Sequence, residues 1–169
     1  MSLSIIVAIA DNNAIGMNNN LLWHIPEDMK WFRETTTGHR VVMGRNTYLS
    51  LPRRPLKNRT NMVISDQPGE QFEGCIMAYS LEEARELCPS DEESFIIGGA
   101  SIYRQFLPLA DKLYVTKVFR AFEADAFFPE INPEEWREVK REVHGPDEHN
   151  DFSFAFIIYI RKRTDYVIP

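Results

Sequence analysis

The chain has 169 residues, 44% hydrophobic and 26% charged, and 19 Lys and Arg against 25 Asp and Glu leave a formal charge of −6. That length suits one soluble domain spanning residues 1–169, large enough to bury about two-thirds of its unfolded surface without disulfides or metal. No apolar run approaches the ~20 residues of a membrane-crossing helix, the acidic balance argues against general nucleic-acid binding, and two cysteines, Cys75 and Cys88, point to a reducing, cytoplasmic setting.

Residues 3–10 are nearly all apolar, as expected of a central strand covered on both faces. No Lys or Arg precedes them, so they read as a strand and not as a signal peptide. Residues 11–23 form a long stretch that mixes Asn, Gly and large apolar side chains, the composition of a functional lid. A helix is expected over 26–36, with Pro26 at its first position and acids in its first turn. Short strands are expected at 40–43, 60–64, 75–78, 95–97 and 113–118. Between them, Ser80 and Glu83 offer a capping box before 84–87, and 100–107 reads as a helix that stops before Pro108. Residues 136–143 and 152–161 flank a polar turn and read as an antiparallel hairpin, with Phe152, Phe154 and Phe156 at strand spacing. The expected fold is α/β: a doubly wound, mostly parallel central sheet with helices on both faces and an antiparallel C-terminal edge hairpin. Ligands of such sheets bind beyond the carboxyl ends of the strands.

The charge is unevenly spread. From residue 35 to residue 65 there is no acid, yet Arg40, Arg45, Arg53, Arg54, Lys57 and Arg59 all fall there. That window is +6, and the remaining 13 basic and 25 acidic residues give −12. A solvated basic face is one reading; a local site for a small polyanion is the other.

Three expected strand ends carry phosphate-like chemistry. Met43-Gly44-Arg45-Asn46-Thr47 runs from a strand through Gly into a basic, polar helix start, where free backbone N–H groups and a guanidinium suit a phosphate. Ordinary capping by Thr47 is the alternative. Ile97-Gly98-Gly99-Ala100-Ser101 repeats the strand–glycine–helix pattern without the G-x-G-x-x-G fingerprint, and a tight turn alone could explain its glycine pair. Ser65, followed by Asp66, ends a third strand with a hydroxyl. Three such ends in one small domain point to a nucleotide cofactor.

On the helix over 26–36, Ile25, Met29, Phe32 and Thr36 form one apolar stripe, and Asp28 falls at its edge between Phe32 and Trp31. Asp in a first turn complements the macrodipole. Alternatively, it is a carboxylate inside an apolar cleft, with a raised pKa, able to accept from a planar ligand's ring N–H and amino group. Trp23 could cover that cleft or simply pack in the core. His144 and His149, near Asp147, Glu148 and Asp151, give a weak metal pattern, and His24 and His39 show no triad spacing.

Ile15-Gly16, Leu22-Trp23 with 26–32, 43–47, 97–99 with Ile102-Tyr103, and Asp125 with Phe128-Pro129 occur in an order that resembles the dihydrofolate reductase family, in its monomeric chromosomal type, over nearly the full length. The resemblance implies NADPH-dependent reduction of 7,8-dihydrofolate to tetrahydrofolate, susceptibility to antifolate-type inhibitors, and no metal. It implies that Asp28 is the single active-site acid, which promotes protonation of pterin nitrogen 5. By the same resemblance Thr116 bonds that acid and the pterin, Trp23 holds an active-site water, and Arg59 pairs with the α-carboxylate of the glutamate tail. Ile6, Ala8, Met29, Phe32, Leu51, Leu56, Ile97 and Tyr103 match pocket positions. Cofactor matches are Ala8, Ile15, Gly16, Gly44, Arg45, Asn46, Thr47, Ser65, Asp66, Ile97, Gly98, Gly99, Ala100, Ser101, Ile102 and Tyr103. The family's Gly–Gly peptide is cis, its lid matches 12–23, and Asp125 resembles the acid that latches the lid near Gly16.

Two positions depart from the family pattern. Leu22 stands where many members have Pro, and Asp66 stands where a neutral or basic residue often helps to bind the 2′-phosphate. Two other readings remain in play: a reductase of another pterin or pyrimidine intermediate, which would not need Arg59, and a non-catalytic nucleotide-binding module, which would not need Asp28.

Overall fold

The computed structural model describes residues 2–17, 21–148 and 151–162. Ten strands and four α-helices follow in the order β1 (Ser2–Ala10), β2 (Ala14–Gly16), α1 (Pro26–Thr36), β3 (Arg40–Gly44), α2 (Arg45–Ser50), β4 (Thr60–Ile64), β5 (Cys75–Ala78), α3 (Leu81–Glu86), β6 (Glu93–Gly98), α4 (Ala100–Phe106), β7 (Lys112–Val118), β8 (Ala126–Phe127), β9 (Trp136–His144) and β10 (Phe154–Arg161). A single 3-10 turn, Leu107–Leu109, follows α4 at Pro108, which cannot continue a helix.

Eight strands make one sheet in the order β5-β4-β3-β6-β1-β7-β10-β9. From β5 to β7 every pairing is parallel, and β10 pairs antiparallel with both β7 and β9. The doubly wound sheet with its antiparallel edge is therefore as expected. β1 lies near the middle, paired to β6 and β7, which explains its near-continuous apolar run. Its odd residues Leu3, Ile5, Val7 and Ile9 pack with Ala84, Tyr103 and Phe106 beneath α3 and α4. Ile6 faces the other way, in a cluster with Val41, Met43, Tyr48 and Phe95 joined by Trp31 and Phe32 of α1. Both faces are thus covered.

The capping box forms, with a twist: Ser80 Oγ accepts from the Glu83 amide at 3.0 Å, while the Glu83 carboxylate accepts from the amide of Tyr79. The hairpin reads differently in detail. Phe154, Ala155, Phe156 and Ile157 are all buried, so β10 is an internal strand covered on both faces there. The outer strand is β9, whose run of charged residues is exposed and discourages edge-to-edge pairing. Phe152 precedes β10 and packs on Phe122 instead.

Residues 14–16 of the stretch expected as a lid form a strand. β2 pairs with β8 in a two-stranded sheet, and the amides of Asp125 and Phe128 donate to the carbonyls of Gly16 and Asn13. Asn18, Asn19 and Asn20 of this stretch, and His149, lie outside the described residues. No described helix is long and apolar enough to cross a membrane.

Phe106 is fully buried in the cluster under α4. Its replacement by Ala is expected to lower stability by about 3–5 kcal/mol, the usual cost of deleting a buried phenyl ring. Urea denaturation checks this, and a loss below ~1 kcal/mol would mean that the cluster is not close-packed.

Candidate active site

The carboxyl ends of β1, β3 and β6 lie side by side in the sheet order, and the sequence-flagged glycines meet there. Between Val42 and Met43 the β3–β6 register skips one residue, so Met43 pairs with Gly98 and Ile97 is bulged. The Gly98–Gly99 peptide is cis, and Gly98 has φ of 130°, a conformation L side chains rarely adopt. A Cβ on Gly99 would sit 3.2 Å from Thr47 Oγ1, and one on Gly44 would sit 3.1 Å from Ile102 Cγ1. Gly44, Thr47, Gly98, Gly99, Ile102 and Tyr103 thus form one crowded seam where α2 and α4 begin. Tyr103 is fixed there by its hydroxyl, which donates to the Ile6 carbonyl at 2.9 Å.

Thr47 does not cap α2. Gly44 is the N-cap, with no side-chain cap hydrogen bond, and Gly99 plays the same part for α4. The first-turn N–H groups of both helices therefore have no side-chain acceptor among the described residues, which leaves them to a ligand or water.

Beside the seam lies a hydrogen-bonded carboxylate. Pro26 starts α1 at a fixed φ, which sets Asp28 in its first turn. The hydroxyl of Thr116, buried in β7 opposite Ala8 of β1, donates to Asp28 Oδ1 at 2.6 Å. Burial pushes the Asp28 carboxyl up, the Thr116 hydrogen bond pulls it down, and burial wins, giving a pKa of about 6. About one molecule in ten is then protonated at Asp28 at pH 7, against about one in a thousand for an ordinary Asp.

The apolar stripe of α1 is only partly buried. Ile25 and Thr36 at its two ends are buried, but Met29 is 50% exposed. The middle of the helix is held by Trp31 and Phe32, which pack against the cluster of Ile6, Val41, Met43 and Phe95. Trp31 stacks on Phe156 with ring centroids 4.5 Å apart, and Trp23 packs against Phe122 at 5.2 Å, closing the Asp28 end.

At the far end of α1, Arg59 Nη1 donates to Thr36 Oγ1 at 3.2 Å and Nε to the Lys57 carbonyl at 2.8 Å. Its guanidinium lies 6.0 Å from the Phe32 ring centroid, and burial followed by the nearby Arg33 charge lowers its pKa. Eight helical steps lead from Asp28 to Thr36, about 12 Å along the helix axis, so the acid and the cation bonded to Thr36 stand at opposite ends of α1. Leu51 and Leu56 pack with Phe32 in the same cluster.

Other expected residues sort clearly. Ala8, Ile97 and Ala100 are half-buried near the strand ends, Ile15 packs against the core under α4, and Asn46, Asp66 and Ser101 are exposed. The basic window proves largely structural outside Arg45 and Arg59. Arg40 donates to the Leu87 carbonyl at the end of α3, and Arg54 donates to the Leu49 carbonyl while lying 5.7 Å over Tyr48. Sequence reasoning missed Glu70. It lies just past the acid-free window, and both Arg45 and Ser65 bond to it, Arg45 Nε at 2.9 Å and Ser65 Oγ at 2.5 Å. The signal was the turn-forming Pro68-Gly69 pair, which folds the next acid back toward Ser65.

A family profile described as dihydrofolate reductase matches residues 2–161. Curated dihydrofolate reductases of Bacillus subtilis and Haemophilus influenzae are 40% and 44% identical to this chain, each over 162 residues. These alignments cover 96% of this chain in both cases, and 96% and 100% of the two relatives. A solved dihydrofolate reductase from Enterococcus faecalis, complexed with NADP(H) and RAB-propyl, superposes with a TM-score of 0.89 at 34% identity, covering 96% of this chain and 97% of that one.

The raised Asp28 pKa carries a stability consequence. The folded-state pKa lies above the unfolded one, so this group's contribution is full below about pH 4 and is lost as pH rises through 6. Asp28→Asn is therefore expected to be more stable than the parent by about 2–3 kcal/mol near pH 7, with the difference vanishing near pH 4. Denaturant melts at the two pH values test this; a constant difference would mean that Asp28 titrates normally.

Proposed function

The chain belongs to the dihydrofolate reductase family, and from that premise we propose that it reduces 7,8-dihydrofolate to 5,6,7,8-tetrahydrofolate with NADPH, with Asp28 as its catalytic acid. The observation that carries this reading is the Asp28–Thr116 pair, a carboxyl group that titrates near 6 beside an apolar cleft.

The chain's own residues suit the dinucleotide. The seam at Gly44, Gly98 and Gly99 is a cradle that Cβ atoms would fill, and Arg45 with Ser65 already grips an anionic group. The backbone N–H groups of 45–47 and 99–102 would hold phosphates, Asn46, Thr47, Ser101, Ile102 and Tyr103 would line the path, and Ala8, Ile15, Gly16 and Ile97 would border the nicotinamide. When bound, NADPH supplies the hydride that pterin carbon 6 receives.

The protein's part is to orient and to manage one proton. Asp28 accepts from the pterin's ring N–H and amino group, which fixes the ring face and raises the basicity of nitrogen 5. Thr116, locked between Asp28 and the sheet, keeps the carboxylate from rotating. Trp23 and Trp31 restrict water at that end, so the charge on Asp28 acts through a poorly screened medium. No nucleophile is required, because hydride transfer between stacked rings depends on positioning and electrostatics.

The spacing of Asp28 and Arg59 along α1 suits the full folate better than a bare pterin. With the ring at Asp28, the benzoyl group passes Met29, Phe32, Leu51 and Leu56, and the tail carboxylate reaches Arg59 about 12 Å farther on. A guanidinium binds a carboxylate in bidentate fashion, and the Nη2 edge of Arg59 makes no hydrogen bond among the described residues. In this reading residues 1–169 act as one cytoplasmic, monomeric domain that is open to antifolate-type inhibitors and engages neither nucleic acid nor membrane.

Asp28→Asn is expected to lower kcat at neutral pH by about 10²–10⁴-fold, the scale of a lost general acid. Partial recovery should appear at low pH, where the substrate is already protonated, and NADPH should still bind. Loss of NADPH absorbance on adding dihydrofolate reports the reaction, and undiminished turnover in this variant would defeat the assignment. Arg59→Leu is expected to raise KM for dihydrofolate at least tenfold, the scale of a lost charged hydrogen-bonded pair, with kcat little changed; an unaltered KM would favour a substrate without the tail.

A further inference from the structure

Arg45 and Ser65 are cofactor-side residues, the second next to Asp66, the position whose family counterpart often helps to bind the 2′-phosphate, and both already serve an internal anion. Glu70 Oε1 receives Arg45 Nε at 2.9 Å and Ser65 Oγ at 2.5 Å, and Glu70 Oε2 receives Arg45 Nε at 3.0 Å. Ser65 is buried, and its oxygen accepts from the Gln67 amide, so its single O–H is committed to Glu70. Two donors converging on one carboxylate oxygen is the arrangement that a phosphate oxygen would need.

The local chain explains why the acid lies there. The Glu70 amide donates to the Gln67 carbonyl across a turn with Pro68 at its second position and Gly69 at φ +78°, the conformation that favours Gly. Tyr79 hydroxyl then donates to the Glu70 carbonyl at 2.7 Å. The turn is held by backbone bonds that do not involve the Glu70 carboxylate, so displacing that carboxylate breaks its bonds to Arg45 and Ser65 and leaves the turn's own bonds in place. Asp66, exposed and next to Ser65, adds a second negative charge.

We propose that Glu70 is a specificity-determining residue that competes with the cofactor's 2′-phosphate for Arg45 and Ser65. This rests on the functional reading above and extends it. A 2′-phosphate has to displace the Glu70 carboxylate or bind beside it, and both routes cost affinity through like-charge repulsion. A dinucleotide with a plain 2′-hydroxyl needs no displacement and can donate to Glu70, as acidic residues do toward a ribose hydroxyl. Glu70 therefore narrows the preference of this chain for NADPH over NADH.

The test is titration of the full chain with NADPH and with NADH, each followed by quenching of tryptophan fluorescence, for the parent and Glu70→Gln. The variant is expected to bind NADPH about fivefold more tightly, the scale of one partly exposed charge pair, while NADH affinity holds or falls. The ratio of the two Kd values is the readout, because a merely structural role would move both together. An unchanged ratio, or one shifted toward NADH, overturns the proposal and makes Glu70 a residue that orients Arg45. Should Glu70→Gln fail to fold, Glu70→Asp withdraws the carboxylate by one methylene and must shift the ratio the same way, by about twofold, or the proposal falls. A parent chain that does not oxidise NADPH with dihydrofolate defeats the functional reading itself; an active parent with no ratio shift defeats only the role of Glu70.

Discussion

One hydrogen bond joins the two halves of the cleft. Thr116 Oγ1, on a buried strand, donates to Asp28 on α1, whose Trp31 and Phe32 pack against the core. The bond crosses 88 positions of sequence, and Thr116 is placed by its parallel register with Ala8 in the central strand. Without β1 at the middle of the sheet, neither partner would be where it is. The bond stabilises the ionised acid, yet burial outweighs it, and the result is a carboxyl group that titrates near 6. Tuning an acid toward neutrality means tolerating an unfavourable charge in the folded state, so the proposed catalytic role and stability oppose each other at this residue.

The second constraint is the placement of charge. Net charge describes an acidic chain, but the acids and bases are sorted so that two cations, Arg45 and Arg59, stand at separate ends of the candidate site. Their local partners differ. Arg59 contacts a hydroxyl, a carbonyl and an aromatic face, all neutral, so its charge is uncompensated by contact. Arg45 is paired with Glu70, whose own pKa is lowered, first by the Ser65 hydrogen bond. One cation is left available for a carboxylate, and the other already has one.

Much of this was legible in sequence for a physical reason. The parallel strands are short apolar runs bounded by turn residues, and helix starts carry Pro26 and the Ser80–Glu83 pair, so local chemistry and global fold agree. Asp28 at the edge of an apolar stripe was likewise visible. The small β2–β8 sheet was not, because strands of three and two residues have no detectable period. The burial of both faces of β10 was hidden because Phe154 and Phe156 mimic a one-sided strand, while Ala155, the small residue between them, is equally buried. The exposure of Met29 was not visible because helical spacing identifies a stripe but not how deeply each residue of it is buried.

Glu70 shows the deeper reason why a charge pattern underdetermines a site. An acid-free window suggests open cations, but a chain can bring an acid back from just outside the window. Here a Pro68-Gly69 turn does so within five residues of Ser65. Arg40 and Arg54 lie inside the window too, and each is spent on a backbone carbonyl. What separates a ligand-ready cation from a structural one is therefore whether its donors already have an acceptor. By that criterion Arg59 is open on one edge and Arg45 is open only after displacement, while Arg40 and Arg54 each already give a terminal nitrogen to a backbone carbonyl. The two anionic ends that the cleft is read to bind thus meet two cations in different states of readiness, with internal competition at the cofactor end alone.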